Sequence, residues 1–169
     1  MLDPKNREGL SKGDAEFLEI IDKHGWHVMN VAPRVDSEDK QEWFSYSTGL
    51  YMSYHHPEII LCGLDADEST YIINDIGNAV KADRKFQLDE DSSDIFANDV
   101  KCRFRLVHPS QYGEYVCFSQ WFYEADDFPV CQCFWPDKSG FFPWQRECHP
   151  AVAESQPLLF LPRGIEAVQ

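Results

Sequence analysis

The sequence predicts one α+β domain, in which a mixed or antiparallel sheet of about five strands is covered by about three helices. Two observations lead to this prediction. Five segments show the alternation or the short apolar runs of strands, and three others carry apolar residues at helical spacing. They follow one another as α, β, β, β, α, β, α, β, so hairpins alternate with helices. A chain of 169 residues suits a single core, which we place in residues 13–161, between a loose arm (1–12) and a tail (162–169).

The first two helices have clear boundaries. Residues 13–26 predict a helix that Asp14 caps and that Gly25 ends in a left-handed conformation. Residues 65–83 predict a second helix with Asp65 as its cap and apolar residues on one stripe. Both helices should therefore lay one apolar face on the sheet.

The remaining pattern predicts the sheet and a third helix. That helix covers residues 109–124, because Pro109 fits the first turn of a helix. A charged turn is predicted over 34–42 and an acidic loop over 87–99. The predicted strands cover residues 26–33, 43–50, Glu58–Cys62, 100–107 and 128–135.

The composition excludes several classes of function. The formal charge is −14, from 29 acidic and 15 basic residues, so the surface repels nucleic-acid phosphates and anionic lipid. No apolar run is long enough to span a membrane, and no secretion signal opens the chain, so we expect a cytoplasmic protein. An acidic surface aids solubility. It also favours a basic protein partner, which the acidic stretch at residues 89–94 could contact.

Six cysteines in a chain of this kind predict reduced thiols rather than disulfides. Cys131 and Cys133 share one face of a predicted strand, and Cys148 precedes His149, but no Cys-x-x-Cys knuckle accompanies them. We therefore predict buried thiols and no metal site. The sequence also contains no glycine-rich phosphate loop and no dinucleotide fingerprint, which predicts no common cofactor.

Four segments follow one another along the chain: His24-Gly25-Trp26, residues 44–64, residues 104–145, and Gln156-Pro157-Leu158. Together they resemble the bacterial domain-of-unknown-function family 4262. The resemblance covers roughly residues 14–160. It implies no activity, because the family has no established chemistry.

The sequence departs from the family pattern at one point. Ser47 stands where the family usually has threonine, and Thr48 stands where an aliphatic residue is usual. The hydroxyl group is kept at position 47 without its methyl group. A hydrogen-bonding role could therefore persist, whereas a role in β-branched packing is weakened.

Polar residues inside apolar motifs are the candidate site, because burying them without partners costs about 1–3 kcal/mol each. Ser47 activated by His56 or His108, or a histidine–glutamate pair, would serve acid–base or nucleophilic chemistry. Two tryptophans would add an apolar wall. The candidate pocket comprises Tyr46, Ser47, His56, Glu58, His108, Gln132, Trp135, Asp137 and Trp144.

A structural explanation competes at each position. Glu58 could bind backbone N–H groups or an arginine, and His56 could lie at the surface. His108 could cap the helix that begins at Pro109, and Asp137 could close a turn that leads to Gly140. The sequence favours these structural roles over catalysis.

The aromatic segment at residues 131–145 predicts a rigid lid over one end of the sheet. Trp135, Phe141, Phe142 and Trp144 are too bulky to leave in water together, and two prolines stiffen the chain between them. We expect this lid to pack against a helix over Tyr112–Tyr123, with Gln132 and Asp137 as polar groups at its edge.

Two functions remain open from the sequence. The first is a non-catalytic binding or regulatory protein, of antitoxin or immunity type, that acts through its acidic surface. The alternative is a small enzyme or small-molecule sensor, whose pocket lies between the strand-end polar groups and the aromatic lid. The absence of a cofactor motif in the sequence favours the first.

Overall fold

The computed structural model describes residues 9–35 and 43–165, and its centre is one six-stranded sheet. The strands are β1 (His27–Val31), β2 (Phe44–Thr48), β3 (Glu58–Cys62), β4 (Asp91–Ser92), β5 (Cys102–Leu106) and β6 (Val130–Phe134). Their order across the sheet is β1-β2-β3-β6-β5-β4, and every neighbouring pair is antiparallel except the parallel pair β3 and β6. The predicted α+β class with a mixed sheet is confirmed.

One strand was not predicted. Strand β4 falls inside the predicted acidic loop, where Asp91 lies opposite Arg103 and Ser92 opposite Cys102. A segment of two residues is too short to show the alternation of polar and apolar residues that predicts a strand. Their pairing with β5 supplies the edge of the sheet.

The structure has six helices in the described ranges instead of about three. They are α1 (Lys12–His24), α2 (Leu50–Tyr54), α3 (Ala66–Lys81), α4 (Tyr112–Tyr115), α5 (Cys117–Tyr123) and α6 (Pro150–Ser155). The predicted helix over 109–124 is a 3-10 turn at Pro109–Gln111 followed by α4 and α5, with a break at Val116 (φ −128°, ψ 42°). Helices α2 and α6 are too short to show a helical period in the sequence.

The ends of the two long helices were predicted with one error. Ser11, not Asp14, is the N-cap of α1; Asp14 completes a capping box by accepting from the Ser11 amide, at 3.2 Å. Gly25 ends α1 in the predicted left-handed conformation, with φ 96°. Asp65 caps α3 as predicted and accepts from the Glu68 amide at 2.8 Å.

Each face of the sheet carries its own core. Helix α3 packs on one face, where Ile73 and Ile76 meet Ile59 and Leu61 of β3 and Phe104 of β5. On the other face, Tyr112 and Val116 pack with Tyr46, Ile60 and Val130. The sheet is therefore sandwiched, and its central strands β2, β3 and β6 are buried along their whole length.

Of the four bulky aromatic residues of the predicted lid, Trp135 lies in a different environment from Phe142 and Trp144. Trp135 packs against the α3-side core, and its indole N–H donates to the carbonyl of Cys62 at 2.9 Å. The rings of Phe142 and Trp144 stack on each other 5.0 Å apart, and Trp144 meets Phe134 edge-on. The expectation of one lid against Tyr112–Tyr123 is not confirmed.

The arm and the tail lie mostly outside the description. Residues 1–8, most of the predicted charged turn (36–42) and residues 166–169 are outside the described ranges. Within the described residues, no helix is both long and apolar enough to cross a membrane. All six cysteines are free thiols, and five of them, including Cys131, Cys133 and Cys148, are buried as predicted. The prediction is wrong for Cys117, which is exposed.

Candidate functional site

Two of the nine predicted site residues meet at a buried carboxylate. Glu58 begins β3 with 0% of its surface exposed, and the Ser47 hydroxyl donates to its Oε2 atom at 2.6 Å. The same hydroxyl accepts from the Ile59 amide at 2.9 Å. Because the paired register of β2 and β3 ends at Tyr46 and Ile60, the Ser47 side chain continues the hydrogen bonding where the backbones diverge.

The rest of the Glu58 carboxylate is surrounded by donors from α2 and α5. The amides of Gly49, Leu50 and Tyr51 donate to it at 2.8, 3.3 and 3.2 Å, and the Tyr123 hydroxyl donates as well. These three amides are the N-terminus of α2, which has no side-chain cap of its own. Glu58 therefore caps α2 across the fold, and the predicted alternative of backbone N–H binding is confirmed.

The environment of Glu58 acts on its protonation in two directions. Burial raises its pKa, and hydrogen bonds from Ser47, Tyr123 and the α2 amides oppose this without cancelling it. Burial beside the carboxylate also raises the pKa of Tyr123, which stays a neutral donor. A general acid or base must reach its substrate, and neither Ser47 nor Glu58 has exposed surface. This cluster joins β2, β3, α2 and α5.

Neither predicted histidine forms a hydrogen bond to Ser47 or Glu58. The His56 Nδ1 atom lies 2.8 Å from the carbonyl oxygen of Pro57. His108 caps the turn that begins at Pro109, because its Nδ1 atom accepts from the Ser110 amide at 3.2 Å. The capping role of His108 was the predicted structural alternative, and it is confirmed.

Tyr46 and Gln132 hold covering segments on the sheet. The Tyr46 hydroxyl accepts from the Phe118 amide of α5 at 3.2 Å, and burial raises its pKa to about 12. The buried Gln132 amide donates to the carbonyl of Pro157 at 2.8 Å and accepts from the Leu159 amide at 3.2 Å. The polar atoms of both side chains form hydrogen bonds to backbone groups.

Asp137 organises the loop that follows β6. Its carboxylate accepts from the amides of Ser139, Phe141 and His149 at 2.9, 3.0 and 2.8 Å, and these bonds lower its pKa. Its own carbonyl accepts from the Gly140 amide, so the predicted turn is confirmed. Of the nine predicted residues, only Ser47 and Glu58 are joined by a hydrogen bond.

The predicted acidic contact stretch is partly neutralised inside the molecule. Asp89 pairs with Arg105 at 3.0 Å and Asp91 with Arg103 at 2.6 Å. The two arginines also lie over aromatic rings, Arg105 over Phe160 and Arg103 over Phe142. Asp89 and Asp91 thus hold the β4 edge to β5 and leave less charge for a partner.

A groove that was not predicted from the sequence runs between α1 and α3 beside β1. It encloses about 430 Å³, and we name it the α1–α3 groove. Its lining residues are Ile20, His24, Trp26, His27, Val28, Thr70, Asn74, Asn78 and Lys81. Trp26 fits against α3 because residue 77 is glycine: a Cβ atom there would lie 2.6 Å from the indole ring. The indole N–H donates to Asn74 Oδ1 at 3.0 Å, which fixes the floor of the groove.

The solvent face of α3 beside this groove is acidic. Asp67, Glu68 and Asp75 surround Tyr71, whose surface is 72% exposed, at helical spacings of three and four residues. None of the three carboxylates forms an ion pair with a described residue. We name these four residues the α3 stripe. The spacing was visible in the sequence, but the neighbouring groove depends on how α1 and α3 pack.

The fold and these surfaces define the protein as a small α+β domain. It has a buried hydrogen-bond cluster around Glu58 and an open groove beside an acidic helix face. The described residues contain no group of three or more His, Cys, Asp or Glu side chains placed to hold a metal ion. The family model described as "Domain of unknown function (DUF4262)" matches residues 20–149. The chain belongs to this family, as its motifs predicted. No curated protein and no solved structure matches it.

Proposed function

We propose that this protein is a non-catalytic binding protein that recognises a basic segment of a partner protein at the α3 stripe and the α1–α3 groove. The observation that carries the proposal is an exposed tyrosine among three carboxylates that form no ion pair with a described residue, beside a groove of about 430 Å³. We place its activity in the bacterial cytoplasm, as a regulator of antitoxin or immunity type.

Charge supports a basic partner. Helices α1 and α3 together carry seven acidic side chains against three lysines, and the whole chain carries −14. A concentrated field of one sign attracts the opposite sign, speeds the encounter and discourages acidic competitors. The stripe is a better location for this attraction than residues 89–94, because two of those carboxylates already pair with arginines.

The groove supplies the short-range contacts that charge alone does not. Ile20 and Trp26 offer apolar surface, while Asn74 and Asn78 offer amide groups that suit a partner's backbone. Tyr71 follows the groove residue Thr70 on α3 and is a large, exposed side chain with few rotamers. Exposed tyrosines of this kind often contribute most to the affinity of an interface.

Binding is favoured over catalysis by what the polar motif residues do. Glu58, Gln132 and Asp137 each use their side-chain oxygens on backbone amides, and Ser47 has no histidine partner. These hydrogen bonds stabilise the fold. A site for binding needs no such group, whereas a hydrolytic site does.

The test is affinity capture from the native host with two variants of equal charge. The first replaces the acids of the stripe: Asp67→Asn, Glu68→Gln and Asp75→Asn. The matched control replaces three exposed acids elsewhere: Asp94→Asn, Asp99→Asn and Glu147→Gln. We expect wild type and control to retain the same basic protein, and the stripe variant to lose it.

Titration of the purified partner protein into each variant then gives the dissociation constants. The dissociation constant should rise with ionic strength for wild type, and Tyr71→Ala should weaken binding by about tenfold or more. Equal binding by the stripe variant and the control would place the contact elsewhere. Affinity that ignores salt would remove the electrostatic argument altogether.

A further inference from the structure

A second cleft lies at the C-terminal end of α3, and it shares no lining residue with the α1–α3 groove. It encloses about 430 Å³ between the loop after α3 and the segment that precedes β3. Its lining residues are Tyr54, His55, His56, Pro57, Val80, Asp83, Arg84, Lys85, Phe86, Gln87, Leu88, Phe104 and Cys131. This volume lies at the small end of the range for small-molecule sites, roughly 300–1,000 Å³.

The cleft has an apolar floor. Phe104, Cys131 and Val80 are buried at its base, and Phe86 closes one side with its ring 5.0 Å from that of Phe104. Burial raises the pKa of the Cys131 thiol, so this sulfur stays neutral and contributes apolar surface. A ligand that fills this base must present an uncharged hydrocarbon or aromatic body.

The rim is cationic, in contrast to the rest of the molecule. Arg84 and Lys85 follow one another, and the guanidinium of Arg84 is fixed twice: it lies over the Phe86 ring at 4.7 Å and donates to the Ser93 carbonyl at 2.9 Å. That bond uses one of its donors and leaves others for a ligand. Lys85 is exposed and forms no ion pair with a described residue. Asp83 is the one carboxylate in the lining.

His56 stands opposite this loop and is held in one orientation. Its ring meets Phe86 edge-on at 6.0 Å, and Nδ1 must carry a hydrogen because the Pro57 carbonyl at 2.8 Å can only accept. Burial lowers the pKa of His56, so the imidazole is neutral at pH 7 and its Nε2 atom is an acceptor. The rim charge at this pH therefore comes from Arg84, Lys85 and Asp83, and it amounts to one net positive charge.

From this geometry we propose that the cleft binds a small organic monoanion, a carboxylate on an aromatic or unsaturated body. The body packs against Phe86 above the buried floor, and the carboxylate meets Arg84 and Lys85. One net positive charge on the rim neutralises a monoanion. A phosphate monoester carries about −1.5 to −2 at pH 7, and Asp83 and the overall charge of −14 both repel the excess.

The experiment compares four probes that share one ring: benzoate, benzamide, phenyl phosphate and benzylamine. Each is titrated into the ¹⁵N-labelled protein at pH 7, and the amide signals of residues 84–88 are followed. Benzoate should shift these signals at millimolar concentration, as fits a fragment of this size. Benzamide should bind at least about fivefold more weakly, phenyl phosphate more weakly than benzoate, and benzylamine weakest of all.

Charge-matched variants locate the binding. Arg84→Gln with Lys85→Gln should weaken benzoate binding about tenfold, whereas Lys101→Gln with Lys138→Gln, an equal charge change outside the cleft, should leave it within about twofold. Lys85→Gln alone keeps the Arg84 contact with Ser93, so it tests the charge if the double variant unfolds. The Lys85→Gln variant should bind benzoate about threefold more weakly than wild type.

Several results would overturn the assignment. These are no shift with any probe, equal binding of benzoate and benzamide, tighter binding of phenyl phosphate, or equal loss in the control variant. The proposal does not depend on the protein partner, because the stripe variant Asp67→Asn, Glu68→Gln, Asp75→Asn leaves every residue of the cleft unchanged. That variant should bind benzoate as wild type does.

Discussion

Replacing Glu58 with glutamine tests whether one buried carboxylate holds the start of α2 to the sheet. The Oε1 atom accepts from the Gly49 and Tyr51 amides and from the Tyr123 hydroxyl, and Oε2 accepts from the Ser47 hydroxyl and the Leu50 amide. A carboxyl group presents two acceptor oxygens in either protonation state. Glutamine presents one, because its second position is an NH₂ donor.

The loss of stability in Glu58→Gln follows from that geometry. The amide oxygen does best at the Oε1 position, where three donors converge, and the NH₂ group then faces Leu50 and Ser47. Ser47 can turn its hydroxyl to accept, but the Leu50 N–H is left buried without an acceptor, at about 1–3 kcal/mol. Losing the Ser47 donation adds about 1 kcal/mol. We expect Glu58→Gln to lower the free energy of unfolding by about 2–4 kcal/mol.

Urea unfolding at pH 7 measures this change. With a slope of about 2 kcal/mol/M, the midpoint should fall by about 1–2 M without a change in slope. Hydrogen exchange should quicken at residues 49–51. The exposed Glu90→Gln is the matched control and should stay within about 0.5 kcal/mol. A Glu58→Gln protein as stable as this control, with protected amides at 49–51, would refute the capping role of Glu58.

Two further predictions concern packing and pH. Gly77→Ala should lower the free energy of unfolding by about 1–2 kcal/mol, because its Cβ atom would lie 2.6 Å from the Trp26 ring and this clash outweighs a helix-propensity gain of about 1 kcal/mol. Gly113→Ala, with nothing within 4 Å of its Cβ position, should be neutral or stabilising, and thermal unfolding of both distinguishes steric clash from propensity. Because burial raises the pKa of Glu58 in the folded state, its contribution is complete below the ordinary value of 4.5 and is lost as the pH rises through the folded-state pKa. The stability advantage of wild type over Glu58→Gln should therefore be smaller at pH 8 than at pH 4.5; urea curves showing a constant or growing advantage would contradict the raised pKa.

The two proposed surfaces carry opposite charges, one on α3 and the other just beyond its C-terminal end. The α3 stripe presents carboxylates from the first turn of α3 to its middle, none of them ion-paired with a described residue, and the cleft presents Arg84 and Lys85 just beyond the end of α3. Since both adjoin α3, a ligand in the cleft and a protein on the stripe would contact the same element.

Local pattern was enough to place much of the fold. Gly25 and Asp65 act at helix ends through their own backbone or side chain, and β3 was predicted at its observed bounds, Glu58–Cys62. These features depend on residues within a few positions of one another, which is why they were visible in the sequence. The family motifs were recognisable for the same reason.

Other features depend on partners far along the chain. Helix α2 begins where Glu58 supplies its cap, and β4 forms a strand because Arg103 and Cys102 lie beside it. The sequence indicated that Ser47 and Glu58 were polar residues needing partners, but not that they were partners of each other. By itself the sequence determined the class of fold, the long helices and the family. Tertiary structure alone decided which polar groups were consumed in the core and which surfaces remained open, because hydrogen bonds and clefts join residues that the chain keeps apart.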